Sequence, residues 1–181
     1  MKIIYTVLAC LFFVAISNSQ ERFLTKNGTI SFFSTSPMEN IEAKNNQVLS
    51  IVDAANGQMA ISILMKSFMF EKALMQEHFN ENYVESDRYP KATFKGDLLN
   101  FDAIGDSKTK TQVKGNLTIH GKTKEITIEA TTLKTADSIL MTGEFFVELA
   151  DFGIEIPAVV KNNIAKKIKV NFNFNHKPYK K

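Results

Sequence analysis

The stretch QVKGNLTIHGKTKEITIEAT, residues 112–131, reads as two strands joined by a tight turn. Val113, Gly115, Leu117 and Ile119 alternate with Gln112, Lys114, Asn116, Thr118 and His120. After the turn residues Gly121-Lys122-Thr123, Ile126, Ile128 and Ala130 alternate with Glu125, Thr127, Glu129 and Thr131. A period of two sends one row of side chains to water and the other to an apolar interior, the pattern of a half-buried antiparallel strand. A helix repeats every 3.6 residues and does not sustain that alternation.

The same pattern extends outward in both directions. Met59, Ile61, Ile63 and Met65 share a face, and Ile168, Val170, Phe172 and Phe174 oppose Lys167, Lys169, Asn171, Asn173 and Asn175. Asn27-Gly28, Asn56-Gly57 and a Gly105-Asp106-Ser107 corner supply turn chemistry at hairpin separations. Strands are expected near residues 22–26, 29–36, 45–52, 58–66, 91–101, 109–120, 124–134 and 138–149, with 166–176 pairing last, so the count is eight or nine. A one-sided antiparallel sheet of this length protects its edges best by closing. The expected fold is therefore all-β, an extended eight-stranded antiparallel barrel. One segment breaks the alternation: Ser67 is a plausible N-cap, and residues 68–80 read as a short α-helix with Phe70, Leu74, Met75, His78 and Phe79 on or near one stripe. A weaker helical turn is expected at 158–165, after Pro157.

At the N-terminus, Met1-Lys2, an apolar run from Ile3 to Ile16 and Ser17-Asn18-Ser19 have the layout of a secretory signal peptide. The run falls short of the roughly 20 residues that span hydrocarbon, and cleavage is expected near Ser19-Gln20. Residues 1–19 are thus read as a signal peptide, residues 20–181 as one domain, and the destination as periplasmic or secreted. Cys10 is the only cysteine. Acylation there is set aside, because the apolar Leu11–Ile16 would fall on the wrong side of the cut, and a chain cut near Ser19 offers no thiol chemistry.

The net charge of +3 is too small, and too interspersed with acids, to argue for nucleic acid. Lysines thicken towards the end (Lys166, Lys167, Lys169, Lys177, Lys180, Lys181), as an anionic membrane contact or as a merely solvated terminus. Catalytic patterns are not found: His78, His120 and His176 lack zinc-protease spacing, and no Gly-x-Ser-x-Gly elbow or Gly-rich phosphate loop occurs. His120 and His176 are assigned to wet strand faces. The pairs Glu81/Glu85 and Asp151/Glu155 have no visible environment to split their pKa values. What remains is apolar, with 15 Phe, 7 Met and no Trp. An eight-stranded barrel either fills its lumen with side chains or keeps room for one ligand. A lipid binder and a packed barrel whose loops engage an envelope partner therefore both stay open, as does a homodimer.

EHFNENYVESDRYPKATFKG (77–96), with KSFMFEKALM (66–75) before it, resembles the signature region of the YceI-like family of lipocalin-like, polyisoprenoid-binding proteins. GNLTIHGKTKEITIEA (115–130), DFGIEIPAVVKNNIAKKIKVNFNF (151–174) and NGTISFFSTSPMENIEAKNNQV (27–48) resemble further parts of it. The Trp near the first strand and the His in the second that mark one branch of the family are missing here. The resemblance implies a tunnel through the barrel that holds a long isoprenoid, with a quinone or polyprenyl phosphate head, and no cofactor. By alternation the tunnel rows are Ile30 with Phe32, Met59 with Ile61 and Ile63, Leu117 with Ile119, Ile126 with Ile128, and Phe172 with Phe174. Phe70, Leu74, Met75 and Phe79 on the helix are expected to cover one end, while Glu77, His78, Asn80, Asn82 and Tyr83 hold the connection to the next strand.

Overall fold

The computed structural model describes residues 22–179; the expected signal segment 1–19 and Cys10 lie outside them. In chain order the elements are β1 (Arg22–Thr35), β2 (Asn40–Asp53), β3 (Gln58–Leu64), β4 (Met69–Phe70), α1 (Ala73–His78), β5 (Lys91–Leu98), β6 (Thr109–Ile119), β7 (Lys122–Thr135), β8 (Ser138–Glu148) and β9 (Lys167–Tyr179). Around the sheet the order is β1-β9-β8-β7-β6-β5-β3-β2, and β1 pairs with β2 from Arg22↔Asp53 to Thr35↔Asn40. The result is a closed, eight-stranded antiparallel barrel with one short helix. The two-residue β4 covers the part of the β2 edge that β3 leaves, pairing with Ala43 and Lys44. Between β3 and β4, the buried Asn45 donates through Nδ2 to Leu64 O at 3.0 Å and bridges that seam.

Asn27-Gly28 is not a hairpin turn, as its composition suggests, but a bulge inside one continuous strand. The β1–β2 register shifts on both sides of Gly28. Phe23 and Thr25 point inward before the bulge, Gly28, Ile30 and Ser34 after it, so the inward phase moves from odd to even positions. Glycine is required there: a Cβ on Gly28 would lie 2.5 Å from the Phe174 ring. Gly96 and Gly115 face each other across β5 and β6, where a Cβ would meet backbone at 2.2–2.6 Å and the end of the Phe94 ring at 2.7–2.8 Å. The β6–β7 hairpin closes through His120 (φ 49°) and Gly121 (φ 71°), a two-residue turn with both central residues left-handed. Tyr89 packs edge-on against His120, with ring centroids 4.7 Å apart, and leaves no room for a Cβ on Gly121.

The helix is shorter than expected. Met65–Ser67 form a 3₁₀ turn and Met69-Phe70 are extended. Helix α1 begins at Ala73 and gives way at Phe79 to a π-helical turn through Tyr83. Phe68 and Phe70 lie two apart, a spacing that puts both on one face of an extended chain but not of a helix, and Met69-Phe70 pair with β2. The turn after Pro157 is a single 3₁₀ turn, Ala158–Val160.

All described connections at one end (residues 36–39, 65–90, 120–121 and 149–166) belong to the open mouth. At the other end the lumen is sealed. There His176 is fully buried rather than wet: its even position continues the inward row of Phe172 and Phe174. Its Nδ1 donates to Ile139 O at 2.9 Å, which leaves Nε2 to accept from the Ser50 hydroxyl at 2.8 Å. Beside it Thr111 and Thr132 hydroxyls bond at 2.7 Å, both buried. His120 is likewise not on an open face but half-buried in its turn, where Nδ1 donates to Phe152 O at 3.2 Å.

Burial holds the His176 pKa below its ordinary value of 6.5, so the folded protein keeps the ring neutral while the unfolded chain takes up a proton below that value. The stability this site contributes is present above about pH 6.5 and falls as the pH drops below it. The expected outcome is a thermal midpoint that declines on acidification from about pH 8 to about pH 5, with a shallower decline in His176→Gln. Calorimetry of both proteins across that range reads the difference.

Candidate functional site

The lumen is not filled. An apolar cavity of about 260 Å³ occupies the mouth half of the barrel, and a second of about 50 Å³ lies below it. Both are lined by Ile30, Ile63, Leu117 and Phe145, so they meet end to end at these side chains. The four come from β1, β3, β6 and β8, alternate strands of the closed sheet. Inward side chains from alternate strands stack as a layer in a barrel of this size, and here the layer makes a waist.

Above the waist, Phe32, Phe68, Phe70 and Phe79 form an aromatic cluster with centroids 5.1–5.7 Å apart. Pairs of this kind contribute about 0.5–1.5 kcal/mol beyond area burial, so the cluster fixes the β4–α1 segment against β1. Met75, Tyr83 and Val84 continue the wall, and Ile154, Val160 and Ile164 of the β8–β9 connection close it from the opposite side. Below the waist the small cavity is walled by Met59, Phe94, Met141, Phe172 and Phe174. Rings there lie against glycines: a Cβ on Gly143 would come within 2.6 Å of Phe172. The missing side chains let large rings lie back against the wall instead of filling the bore.

Of the residues expected from alternation, Ile30, Phe32, Ile63, Leu117 and Ile119 line the upper cavity, as do Phe70, Met75 and Phe79. Met59, Ile61, Ile126, Ile128, Phe172 and Phe174 line the lower one. Leu74 faces away and is 61% exposed, because α1 begins only at Ala73 and turns its Met75 side inward. His78 and Tyr83, assigned to the connection, line the upper cavity instead. Asn80 does hold the connection: its Nδ2 donates to Gln76 O at 2.8 Å, and its backbone carbonyl accepts from Ser86 N–H at 2.8 Å. Phe145 and Val147 were open to the same alternation argument on β8, whereas Ile154, Val160 and Ile164 sit in irregular chain with no period to reveal them.

The polar lining is sparse and gathered at the mouth: Ser34, Glu39, His78, Tyr83 and Asn163. Ser34 is already engaged, its Oγ accepting from Ala165 N–H at 2.8 Å. Glu39 is held 3.0 Å from Lys72 Nζ, which ties the β1–β2 turn to the segment before α1. Burial raises the Tyr83 pKa, so its phenol is a neutral hydroxyl. No lysine or arginine lines either cavity. The arrangement suits a long apolar chain in the bore with a small polar group left at the mouth.

Comparisons with known proteins agree with this geometry. The profile of the YceI-like domain family matches residues 14–176. A polyisoprenoid binding domain from Saccharophagus degradans, implicated in plant cell wall breakdown, superimposes with a TM-score of 0.76 at 14% identity, over 87% of this chain and 98% of that one. Burkholderia cenocepacia BcnA does so with a TM-score of 0.69 at 20% identity, over 82% and 95%. A Campylobacter jejuni YCEI protein gives 0.55 at 16% identity, over 77% and 85%. No curated protein matches the sequence significantly.

An apolar fluorophore such as N-phenyl-1-naphthylamine is expected to bind wild-type protein and fluoresce. Leu117→Trp, which widens a waist side chain into the bore, is expected to weaken that binding about tenfold, the equivalent of about 1.4 kcal/mol. Titration by fluorescence measures both.

Proposed function

Because this chain belongs to the YceI-like domain family, we propose that its barrel binds one long-chain isoprenoid or similar lipid, tail inward, in the cell envelope. The observation that carries this reading is the apolar cavity of about 260 Å³ in the mouth half of a barrel whose far end holds the buried His176–Ser50 and Thr111–Thr132 pairs. Each methylene taken out of water contributes about 0.8 kcal/mol, so affinity accrues along the tail without a head contact. The solved domain from Saccharophagus degradans, a polyisoprenoid binder by description, supports the same ligand class.

An uncharged head of the quinone type is the finer part of the proposal. A polyprenyl phosphate brings an anion to a cavity whose lining offers no lysine or arginine and whose one carboxylate, Glu39, already occupies Lys72. A carbonyl or hydroxyl head is instead served by the neutral Tyr83 phenol, by Asn163 and by His78. The signal-like residues 1–19 support an exported protein, periplasmic or secreted, as the third part.

Protein isolated from its native envelope and examined by mass spectrometry tests all three. The expected result is a polypeptide lacking residues 1–19 that releases a neutral prenylated lipid into organic solvent. Absence of any long-chain lipid counts against binding, a polyprenyl phosphate against the neutral head, and an uncut N-terminus against export by signal cleavage.

A further inference from the structure

The mouth carries an unusual collection of exposed apolar side chains. Met38 is 71% exposed, Met69 64%, Leu74 61% and Val159 90%. They come from three separate stretches of chain, yet each is the immediate sequence neighbour of a residue that lines the upper cavity: Glu39, Phe70, Met75 and Val160. All four belong to the connections at the mouth end, residues 36–39, 65–90 and 149–166. Towards the sealed end the exposed large apolar residues are fewer, Leu49 at 41% and Tyr179 at 46%, and they lie on the outer faces of β2 and β9. Single exposed apolar residues need no explanation, but a set gathered at one end marks an interaction surface.

We propose that this rim docks on an anionic lipid bilayer and that the barrel loads through it. The proposal rests on the lipid-binding reading above, since a long isoprenoid has negligible solubility in water and must pass between membrane and lumen. Charge on the rim is uneven. Lys161, Lys166 and Lys167 are exposed on the β8–β9 connection and the start of β9 that flank Val159, and Lys161 and Lys166 have no ion-pair partner among the described residues. Exposed Glu71, Glu77 and Glu81 lie on the opposite, α1 side. The basic flank thus meets anionic headgroups while Val159 enters the boundary below them, as basic side chains beside an apolar stripe do at membrane surfaces. The four exposed residues include none of the Trp, Tyr or Arg anchors on which protein partners concentrate their affinity. Lysines at the C-terminal end divide accordingly: Lys166, Lys167 and Lys169 stand near the mouth, and Lys177 near the sealed end.

Vesicle flotation of the purified protein tests this. Wild-type protein is expected to float with phosphatidylcholine–phosphatidylglycerol vesicles about tenfold better than with phosphatidylcholine alone. The double variant Leu74→Glu/Val159→Glu is expected to stay at the bottom of the gradient while binding the naphthylamine probe as wild type does, which shows that its barrel is intact. Flotation of the double variant equal to wild type, or no flotation of wild type, overturns the proposal. So does a concentration-dependent dimer in light scattering that the double variant abolishes, since it assigns the rim to a second copy. Loss of probe and lipid binding in wild type that still floats defeats the lipid-binding reading and not the docking itself.

Discussion

The pairing of β1 with β2 is the constraint on which everything else depends. These strands come first and second in the chain, yet their ladder is the closure that turns an eight-stranded sheet into a barrel. Closure removes both free edges, which would otherwise present rows of unpaired N–H and C=O groups. It also fixes the bore, because with eight strands the interior is just wide enough for side chains to fill or for one slender ligand to occupy. The matched irregularities in this pair, around Gly28 in β1 and Asn45 to Val48 in β2, are where the ladder adjusts to close. There Asn45 Oδ1 accepts from Gln47 N–H at 2.9 Å while Nδ2 reaches Leu64 O, so the adjustment leaves no buried amide unpaired.

Given that bore, emptiness has to be built. The thirteen phenylalanines among residues 22–179 are more than enough to plug a lumen of this width. The plug is avoided in two ways. Glycines at 28, 96, 115 and 143 let Phe94, Phe172 and Phe174 lie back against the wall, and four further rings, Phe32, Phe68, Phe70 and Phe79, pack on one another at the mouth. Overpacking a wall of this kind costs about 1–3 kcal/mol, so these glycines set the volume available below the waist as directly as the apolar residues do.

Much of this architecture was legible in the amino-acid order, and the reasons for the gaps are specific. Period-two alternation located the strands and the dry rows, and Leu117, Phe172 and Ile63 face the lumen as it requires. Bulges defeat such reading, because one inserted residue reverses the inward phase while the composition at Asn27-Gly28 still looks like a turn. His176 stood in the dry row by position, but its polarity suggested water; the buried Ser50 and Ile139 partners that make the site tolerable come from strands remote in sequence. The segment 68–72 was read as helix because Phe70 stands four residues before Leu74, on the stripe that continues into α1, and only its pairing with β2 makes it a strand. Ile154, Val160 and Ile164 could not be reached at all by alternation, since irregular chain carries no period.

The asymmetry between the two ends follows from where polar groups can be satisfied. At the sealed end the fully or nearly fully buried hydroxyls and imidazole pair with one another, Ser50 with His176 and Thr111 with Thr132. Such a plug withstands water only while all its partners are present, because each orphaned group in a buried site costs about 1–3 kcal/mol. At the mouth, Tyr83, His78 and Asn163 have no side-chain partner of this kind among the described residues, and the exposed apolar rim lies just beyond them. An apolar tail can therefore bury itself against the waist while its head remains among groups that can still bond to it. For the ligand proposed above, entry from the opposite end would require breaking the His176 network first, so the placement of four polar side chains favours the mouth.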